Sequence, residues 1–162
     1  MARLPKRLKR FAWDACAWIA GIRREVVIVG GRPENRGALC DAIRSEAEKG
    51  GAEIFSSAFA IVEVCKHPDD LGNPGFADQQ VRDYFENDYI VIVPVDRRVG
   101  ELARDLMRAG HAGLKPPDAT HLATALVANA DELHTFDDKL LNLDGKLNKL
   151  DGTKRIKSFC GA

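Results

Sequence analysis

Residues 116–125 are Pro116-Pro117-Asp118-Ala119-Thr120-His121-Leu122-Ala123-Thr124-Ala125, and the fold is best worked out from this stretch. The two prolines end the preceding segment and favour the first turn of a helix. The apolar residues that follow recur at helical spacing and form a single stripe, which predicts a helix over about residues 118–129. Asp118 lies in its first turn, where a carboxylate can cap the helix or face a cleft in front of it.

Composition places the chain among ordinary globular proteins. Its 162 residues, 45% apolar, are enough for a single domain over 1–162 with a real core. The 24 basic and 24 acidic residues balance, so net charge identifies no partner. A basic N-terminal extension (1–10) and a basic C-terminal tail (143–162) are more typical of solvated surface than of a phosphate contact.

The cysteines and the hydropathy pattern indicate a cellular compartment. The four cysteines are scattered without the spacing of a zinc site, as is typical of reduced thiols in the cytosol. The apolar run after the basic N-terminus is interrupted by Asp14, and none approaches membrane-spanning length. We therefore expect a soluble, cytoplasmic protein.

Short apolar segments alternate with helical patterns along the chain. The clearest strand is 89–95, and further strands are predicted over 11–15, 53–56 and 132–136, with an edge strand over 155–159. Helices are predicted over 34–49, 57–65, 77–85 and 99–109, a loop over 67–75, and an extended loop or hairpin arm over 26–29. This alternation predicts a three-layer α/β fold, with a mostly parallel sheet covered on both faces by helices.

Acidic residues stand near the ends of these strands. Asp14 ends the first strand and Asp137 follows strand 132–136, so both are expected at the edge where open α/β sheets bind ligands. Glu63 lies in a helical stretch that is otherwise apolar, where a charge costs several kcal/mol, roughly, without a partner or metal. Asp96 also ends a strand, and we interpret it as the cap of the helix from Arg97.

Each of these acids also has a structural explanation. Asp14 could be a turn residue, Asp137 or its neighbour Asp138 could cap the following turn, and Glu63 could pair with a distant arginine such as Arg97 or Arg98. A set of converging carboxylates would instead suit Mg²⁺ or Mn²⁺, which prefer oxygen ligands. Such an ion can ionise a water molecule and stabilise charge on a phosphate, so the alternative is metal-dependent phosphodiester hydrolysis.

Four segments resemble, in order and spacing, the acidic motifs of PIN-domain ribonucleases, most closely the VapC-like toxins of type II toxin–antitoxin pairs. They are Trp-Asp-Ala-Cys-Ala-Trp-Ile-Ala (13–20), Ser-Ala-Phe-Ala-Ile-Val-Glu (57–63), Pro-Asp-Ala-Thr-His-Leu-Ala-Thr-Ala (117–125) and His-Thr-Phe-Asp (134–137). The resemblance covers about residues 11–142. It implies a Rossmann-like α/β/α fold, an endoribonuclease dependent on Mg²⁺ or Mn²⁺, a homodimer and a cognate antitoxin partner.

The same resemblance implies which residues form the site. The metal-binding and catalytic acids would be Asp14, Glu63, Asp118 and Asp137, and Thr135 would orient a carboxylate or a water molecule. Register with Thr135 favours Asp137 over Asp138. His121 is expected to point away from the apolar stripe. It could contact a substrate phosphate, but a position at the surface or behind the metal ligands is favoured.

Two departures from the family pattern stand out. Ala15 and Cys16 occupy positions where the family usually has Thr or Ser followed by Asn, so we expect metal binding to survive with an altered geometry or rate. The segment 26–33 is also longer and more β-branched than that connection usually is.

Other functions fit the residues less well. A haloacid-dehalogenase-type phosphatase needs a second Asp two residues after the first, where this chain has Cys16, and a phosphate-accepting receiver domain needs an acidic pair near its start. A stand-alone RNA-processing nuclease and a catalytically silent RNA- or protein-binding PIN domain remain as alternatives. The silent alternative depends on the change at Ala15 and Cys16.

Overall fold

A parallel sheet lies at the centre of the computed structural model, which describes residues 7–64, 74–109, 113–144 and 155–157. In chain order the strands are β1 (Lys9–Trp13), β2 (Val26–Val29), β3 (Arg32–Asn35), β4 (Ala52–Ser57), β5 (Ile90–Val93), β6 (Glu132–His134) and β7 (Arg155–Lys157). Five of them form one sheet in the order β5-β4-β1-β6-β7, and every pair is parallel. The predicted parallel sheet is confirmed, and so is the edge strand near the C-terminus.

Helices cover both faces of this sheet. They are α1 (Ala15–Ile22), α2 (Arg36–Glu48), α3 (Ala58–Val64), α4 (Pro74–Phe85), α5 (Arg97–Arg108), α6 (Pro116–Val127) and α7 (Asp138–Leu141). Successive side chains along a strand point to opposite faces of the sheet, so consecutive residues pack into the two different hydrophobic cores. Ala12 and Phe55 pack with α5 and α6, whereas Trp13 and Ile54 pack with α1 and α2. The three-layer α/β prediction is therefore confirmed.

Helix α6 begins two residues earlier than its apolar stripe predicted. Lys115 is its N-cap and makes no side-chain capping bond, and Pro116 and Pro117 are its first two residues. Proline is tolerated there because the N–H it lacks would have no partner within the helix. Asp118 is thus the third helical residue, so its interpretation as the N-cap is wrong. Asp96, in contrast, caps α5 as predicted, accepting from the N–H of Val99 at 3.0 Å.

Strands β2 and β3 form an antiparallel hairpin separate from the main sheet, which confirms the predicted hairpin arm. Gly30 and Gly31 form its turn, with φ of 57° and 78°, values that favour glycine. The base of the hairpin is fixed to the helices, because Glu25 N–H donates to Ala20 O at 2.9 Å and Gly37 N–H donates to Glu25 O at 3.0 Å.

Two regions differ from expectation. Helix α3 is not buried all round: Ile61 and Val62 are 36% and 67% exposed, so Glu63 lies near the surface of the molecule. Helix α4 begins at Pro74, so the loop predicted over 67–75 is wrong for its last two residues, and its other residues lie outside the described part. No helix within the described residues is long and apolar enough to cross a membrane.

Candidate functional site

The candidate site lies at the carboxyl ends of three adjacent strands. Strand β1 lies between β4 and β6, and Trp13 is in register with Ser56 on one side and His134 on the other. The segments that leave these strands therefore begin at one edge of the sheet. They carry Asp14 after β1, Glu63 in the helix after β4, and Thr135 and Asp137 after β6.

Asp14 is buried, and its carboxylate accepts from three different groups. Its side chain caps α1 through Ala17 N–H at 3.0 Å, the Cys16 thiol donates to it at 2.9 and 3.1 Å, and the Thr135 hydroxyl donates to Oδ2. Burial raises the pKa of Asp14, although these hydrogen bonds act in the opposite direction. A carboxylate has about four acceptor directions, so these donors fix its orientation and leave about one direction open.

Cys16 is a free thiol whose surroundings keep it protonated. Burial raises its pKa, and the negative charge of Asp14 raises it further. Cys40 is the second free thiol among the described residues, which agrees with the prediction of reduced cysteines. Cys65 and Cys160 lie outside that part of the chain.

The segment that carries Asp137 is held by the same group of residues. Phe136 N–H donates to Cys16 Sγ at 3.2 Å, and Asp137 N–H donates to Thr135 Oγ1 at 3.0 Å. The Asp137 side chain also caps α7 by accepting from Lys139 N–H at 2.8 Å. The capping role considered for Asp137 is thus present, and it occurs beside the candidate site.

Asp118 lies where its charge is disfavoured. Burial raises the pKa of its carboxyl group, and the charge of Asp137 raises it further; a hydrogen bond from the Lys115 backbone N–H and the charges of His121 and Lys139 act in the opposite direction. Asp118 therefore combines a backbone contact at the helix start with repulsion from a second carboxylate.

Glu63 pairs with a histidine rather than with an arginine. His121 Nε2 and Glu63 Oε2 are 2.6 Å apart, across 58 residues of sequence. Arg97 instead pairs with Glu101 at 2.7 Å, so the pairing of Glu63 with Arg97 is wrong. His121 is only 4% exposed, which excludes its expected surface position and leaves the position behind the acids.

His121 also connects the remaining acids electrostatically. Its charge lowers the pKa of both Asp14 and Asp118, so it lies near these carboxylates as well as bonding to Glu63. Its buried Nδ1 has no hydrogen-bond partner among the described residues. The three-residue spacing of Asp118 and His121 along α6 could have indicated that these two side chains are close together. It could not have indicated the contact between His121 and Glu63.

A basic side chain packs on the ring of Phe136, the residue before Asp137, and sequence reasoning missed this contact. The Arg36 guanidinium lies 4.5 Å from the centre of the Phe136 ring and also pairs with Glu34 at 2.8 Å. Arg36 begins α2 directly after β3, so this contact attaches the hairpin to the segment that carries Asp137.

The donor chemistry of the site fits a divalent cation. The atoms that could bind a metal are carboxylate oxygens, the ligands that Mg²⁺ and Mn²⁺ prefer. The negative charges of Asp118 and Asp137 repel each other, and a bound cation would relieve this repulsion. Asp14 retains about one acceptor direction. No three His, Cys, Asp or Glu side chains within the described ranges lie close enough to form a complete metal site.

Comparison with known proteins identifies relatives of this fold. The family model of the PIN domain matches residues 14–146. No curated protein matches the sequence as a relative. Among solved structures, VapC20 from Mycobacterium tuberculosis, named as a sarcin-ricin loop cleaving toxin, is 15% identical with a TM-score of 0.59, over 79% of this chain and 90% of that one.

Two further solved structures are similar. A toxin-antitoxin complex from Klebsiella pneumoniae is 20% identical with a TM-score of 0.54, over 78% of this chain and 85% of that one. VapBC2 from Rickettsia felis, bound to a DNA fragment from its promoter, is 13% identical with a TM-score of 0.58, over 91% and 97%. Identities this low show similarity of fold alone.

Proposed function

This chain belongs to the PIN domain family. We therefore propose that it is an endoribonuclease that depends on Mg²⁺ or Mn²⁺. We also propose that it acts as the toxin of a type II toxin–antitoxin pair. The observation that supports the proposal is the pairwise coupling of the candidate acids: Asp137 raises the pKa of Asp118, and His121, which bonds Glu63, lowers the pKa of Asp118 and Asp14. Paired acids at a ligand-binding edge are typical of a site built for a cation.

The proposed metal ligands are Asp14, Glu63, Asp118 and Asp137. When bound, a divalent cation supplies an ionised water molecule and stabilises charge on the phosphodiester. The protein's own residues prepare the site: Thr135 holds Asp14 through a hydrogen bond to Oδ2, and His121 holds Glu63 at 2.6 Å. These contacts keep the carboxylates oriented, so that less reorganisation is needed when the cation and the RNA bind.

The proposed substrate and partner are taken from the similar structures. One is named as a toxin that cleaves the sarcin-ricin loop and another is a toxin-antitoxin complex, which supports an RNA substrate and an antitoxin partner for this chain. We further propose a single domain over 1–162, a homodimer and a cytoplasmic location. The Cys16 thiol donates to Asp14 at a position where the family usually has a different polar residue, which weakens part of the argument for the catalytically silent alternative; the change at Ala15 keeps that alternative open.

Cleavage of RNA by the purified protein tests the enzymatic proposal. We expect cleavage with Mg²⁺ or Mn²⁺, none with EDTA, and at least a hundredfold loss in Asp118→Asn, roughly the scale of removing one electrostatic contributor to a transition state. Asp96→Asn is the matched control, because the Asp96 side chain caps α5 by accepting from Val99 N–H, and asparagine also caps helices well. Full activity of Asp118→Asn would refute the assignment.

The toxin role is tested in cells. Inducing the wild-type chain should arrest growth, inducing Asp118→Asn should not, and co-expression of the product of an adjacent reading frame should restore growth. RNA cleavage without growth arrest, and without such a neighbouring frame, would support the stand-alone RNA-processing nuclease instead.

A further inference from the structure

We propose that Cys16 is a positioning residue, whose thiol fixes the Asp14 carboxylate relative to the segment carrying Asp137 and thereby sets the affinity of the site for its cation. The inference rests on the proposed function, since it assigns a role within the same site. It concerns Cys16, one of the two residues after Asp14 in which this chain departs from the family pattern.

Two hydrogen-bonded bridges connect Asp14 to that segment. In the first, Asp137 N–H donates to the Thr135 hydroxyl, and this hydroxyl donates to Asp14. In the second, Phe136 N–H donates to Cys16 Sγ at 3.2 Å, and the Cys16 thiol donates to Asp14 at 2.9 Å. Both bridges start at consecutive backbone N–H groups and end on the same carboxylate, so they determine together how Asp14 lies relative to Asp137.

The two bridges also touch each other. Cys16 Sγ lies 3.3 Å from Thr135 Oγ1, across 119 residues of sequence. The thiol lies near both Asp14 oxygens, at 2.9 and 3.1 Å, and therefore restricts rotation of the carboxylate as well as its position. Without the thiol, Asp14 would keep the Ala17 N–H on Oδ1 and the Thr135 hydroxyl on Oδ2, but only the Thr135 bond would connect it to the segment that carries Asp137.

Loss of the thiol would remove one complete bridge. In Cys16→Ala, Asp14 loses one of its donors and Phe136 N–H loses its acceptor. Residues that orient metal ligands typically change metal affinity by about 10- to 100-fold when they are replaced. Serine keeps one O–H donor and two acceptor lone pairs at the same position, so Cys16→Ser should restore most of the affinity.

Mn²⁺ binding to the purified, full-length protein tests this role. Free Mn²⁺ is measured by electron paramagnetic resonance, circular dichroism checks the fold, and hydrogen exchange of the Phe136 amide reports on the second bridge. Cys40→Ala is the matched control: it removes a buried thiol that bonds the Ala17 carbonyl at 3.3 Å and makes no hydrogen bond to Asp14. RNA cleavage is measured in parallel, with kcat and KM separated.

The expected pattern is about 10- to 100-fold weaker Mn²⁺ binding and faster Phe136 exchange in Cys16→Ala, with near-wild-type values in Cys16→Ser and Cys40→Ala. Wild-type Mn²⁺ affinity in a folded Cys16→Ala would overturn the inference and leave the proposed function intact. Equal losses in Cys16→Ala and Cys40→Ala would also overturn it, since they would indicate a general packing effect. Absence of Mn²⁺ binding and of RNA cleavage in the wild type would remove the proposed function, and this inference with it.

Discussion

Asp118 is a residue whose ionisation affects the stability of the folded protein. Burial and the charge of Asp137 raise its pKa above the ordinary 3.8. The folded state then binds more protons than the unfolded state between 3.8 and the raised value, so stability falls as the pH rises through that window. At neutral pH the ionised Asp118 therefore destabilises the metal-free protein.

We predict that Asp118→Asn raises the Tm of the metal-free protein at pH 7, because asparagine removes the repulsion from Asp137. The gain should shrink as the pH is lowered toward 3.8, where Asp118 itself becomes protonated. Scanning calorimetry across this pH range, in EDTA, measures both effects. The same Tm for the variant and the wild type at pH 7 would contradict the repulsion.

His121 is the residue whose importance the sequence least indicated. We predict that His121→Ala lowers Mn²⁺ affinity and RNA cleavage by about 10- to 100-fold, because Glu63 loses the group that orients it. His121→Gln should retain part of the affinity, since its amide can donate to the same oxygen.

His134 provides a matched control for His121. It is also buried and also pairs with a glutamate, since its Nε2 lies 2.9 Å from Glu132 Oε2 within β6. His134→Ala should lower the Tm without changing Mn²⁺ affinity in the protein that stays folded. If His121→Ala and His134→Ala lose Mn²⁺ affinity equally, the loss is caused by disturbed packing and not by a change in the orientation of Glu63.

Among the structural elements, the hairpin depends on a close backbone contact at the start of α2. A Cβ at Gly37 would lie 2.6 Å from the Cα of Arg24, a residue with φ of 51°. A Cβ at Gly100 in α5 would meet no described atom within 4 Å beyond its chain neighbours and the nearby backbone of its own helix. Glycine is required at position 37, because a side chain there would clash with the backbone of Arg24. At position 100 the space around the residue allows a larger side chain.

We predict opposite effects when these glycines are replaced. Gly37→Ala should lower the free energy of unfolding by about 1–3 kcal/mol, because the new methyl group would clash with the backbone of Arg24, which is less able to shift than a flexible side chain. Gly100→Ala should raise it by about 0.5–1 kcal/mol, because alanine is the better helix former. Urea unfolding measures both, and destabilisation by both changes would show that α5 is more crowded than the structure indicates.

Element boundaries near the site show what local patterns encode. Apolar periodicity located α6, because a buried face repeats along its own segment, and a short apolar, β-branched run located β5. The periodicity did not locate the first residue of α6, because proline at the first positions adds no apolar side chain to the stripe. It overestimated the burial of α3, since an apolar run does not show that Ile61 and Val62 face outward.

For the molecule as a whole, α3 presents an apolar surface beside Glu63. Val62 is 67% exposed, and we predict that the wild type is a dimer by light scattering and that Val62→Glu shifts it toward the monomer, because a charge opposes burial of this surface. Ile28→Glu is the control, since Ile28 is exposed to a similar extent, at 71%, but lies on the hairpin. A monomeric wild type would contradict the proposed homodimer.

The sequence by itself determined the architecture and the positions of the candidate acids along the chain. Short apolar strands alternating with helices specify a parallel sheet, and carboxylates at strand ends must then lie near one edge. Both properties depend on local patterns that each segment carries independently of the others. Whether these acids bind a metal stays a prediction.

Only the tertiary structure decided which side chains meet. Glu63 and His121 are 58 residues apart, and Cys16 and Phe136 are 120 apart, on segments whose own periodicity carries no information about each other. Their contacts arise because the parallel crossovers place β4, β1 and β6 side by side, so that the residues following these strands meet. In the sequence, Cys16 is only a departure from the family pattern. In the structure, its thiol contacts Asp14, Thr135 and Phe136, and these contacts indicate a role for it.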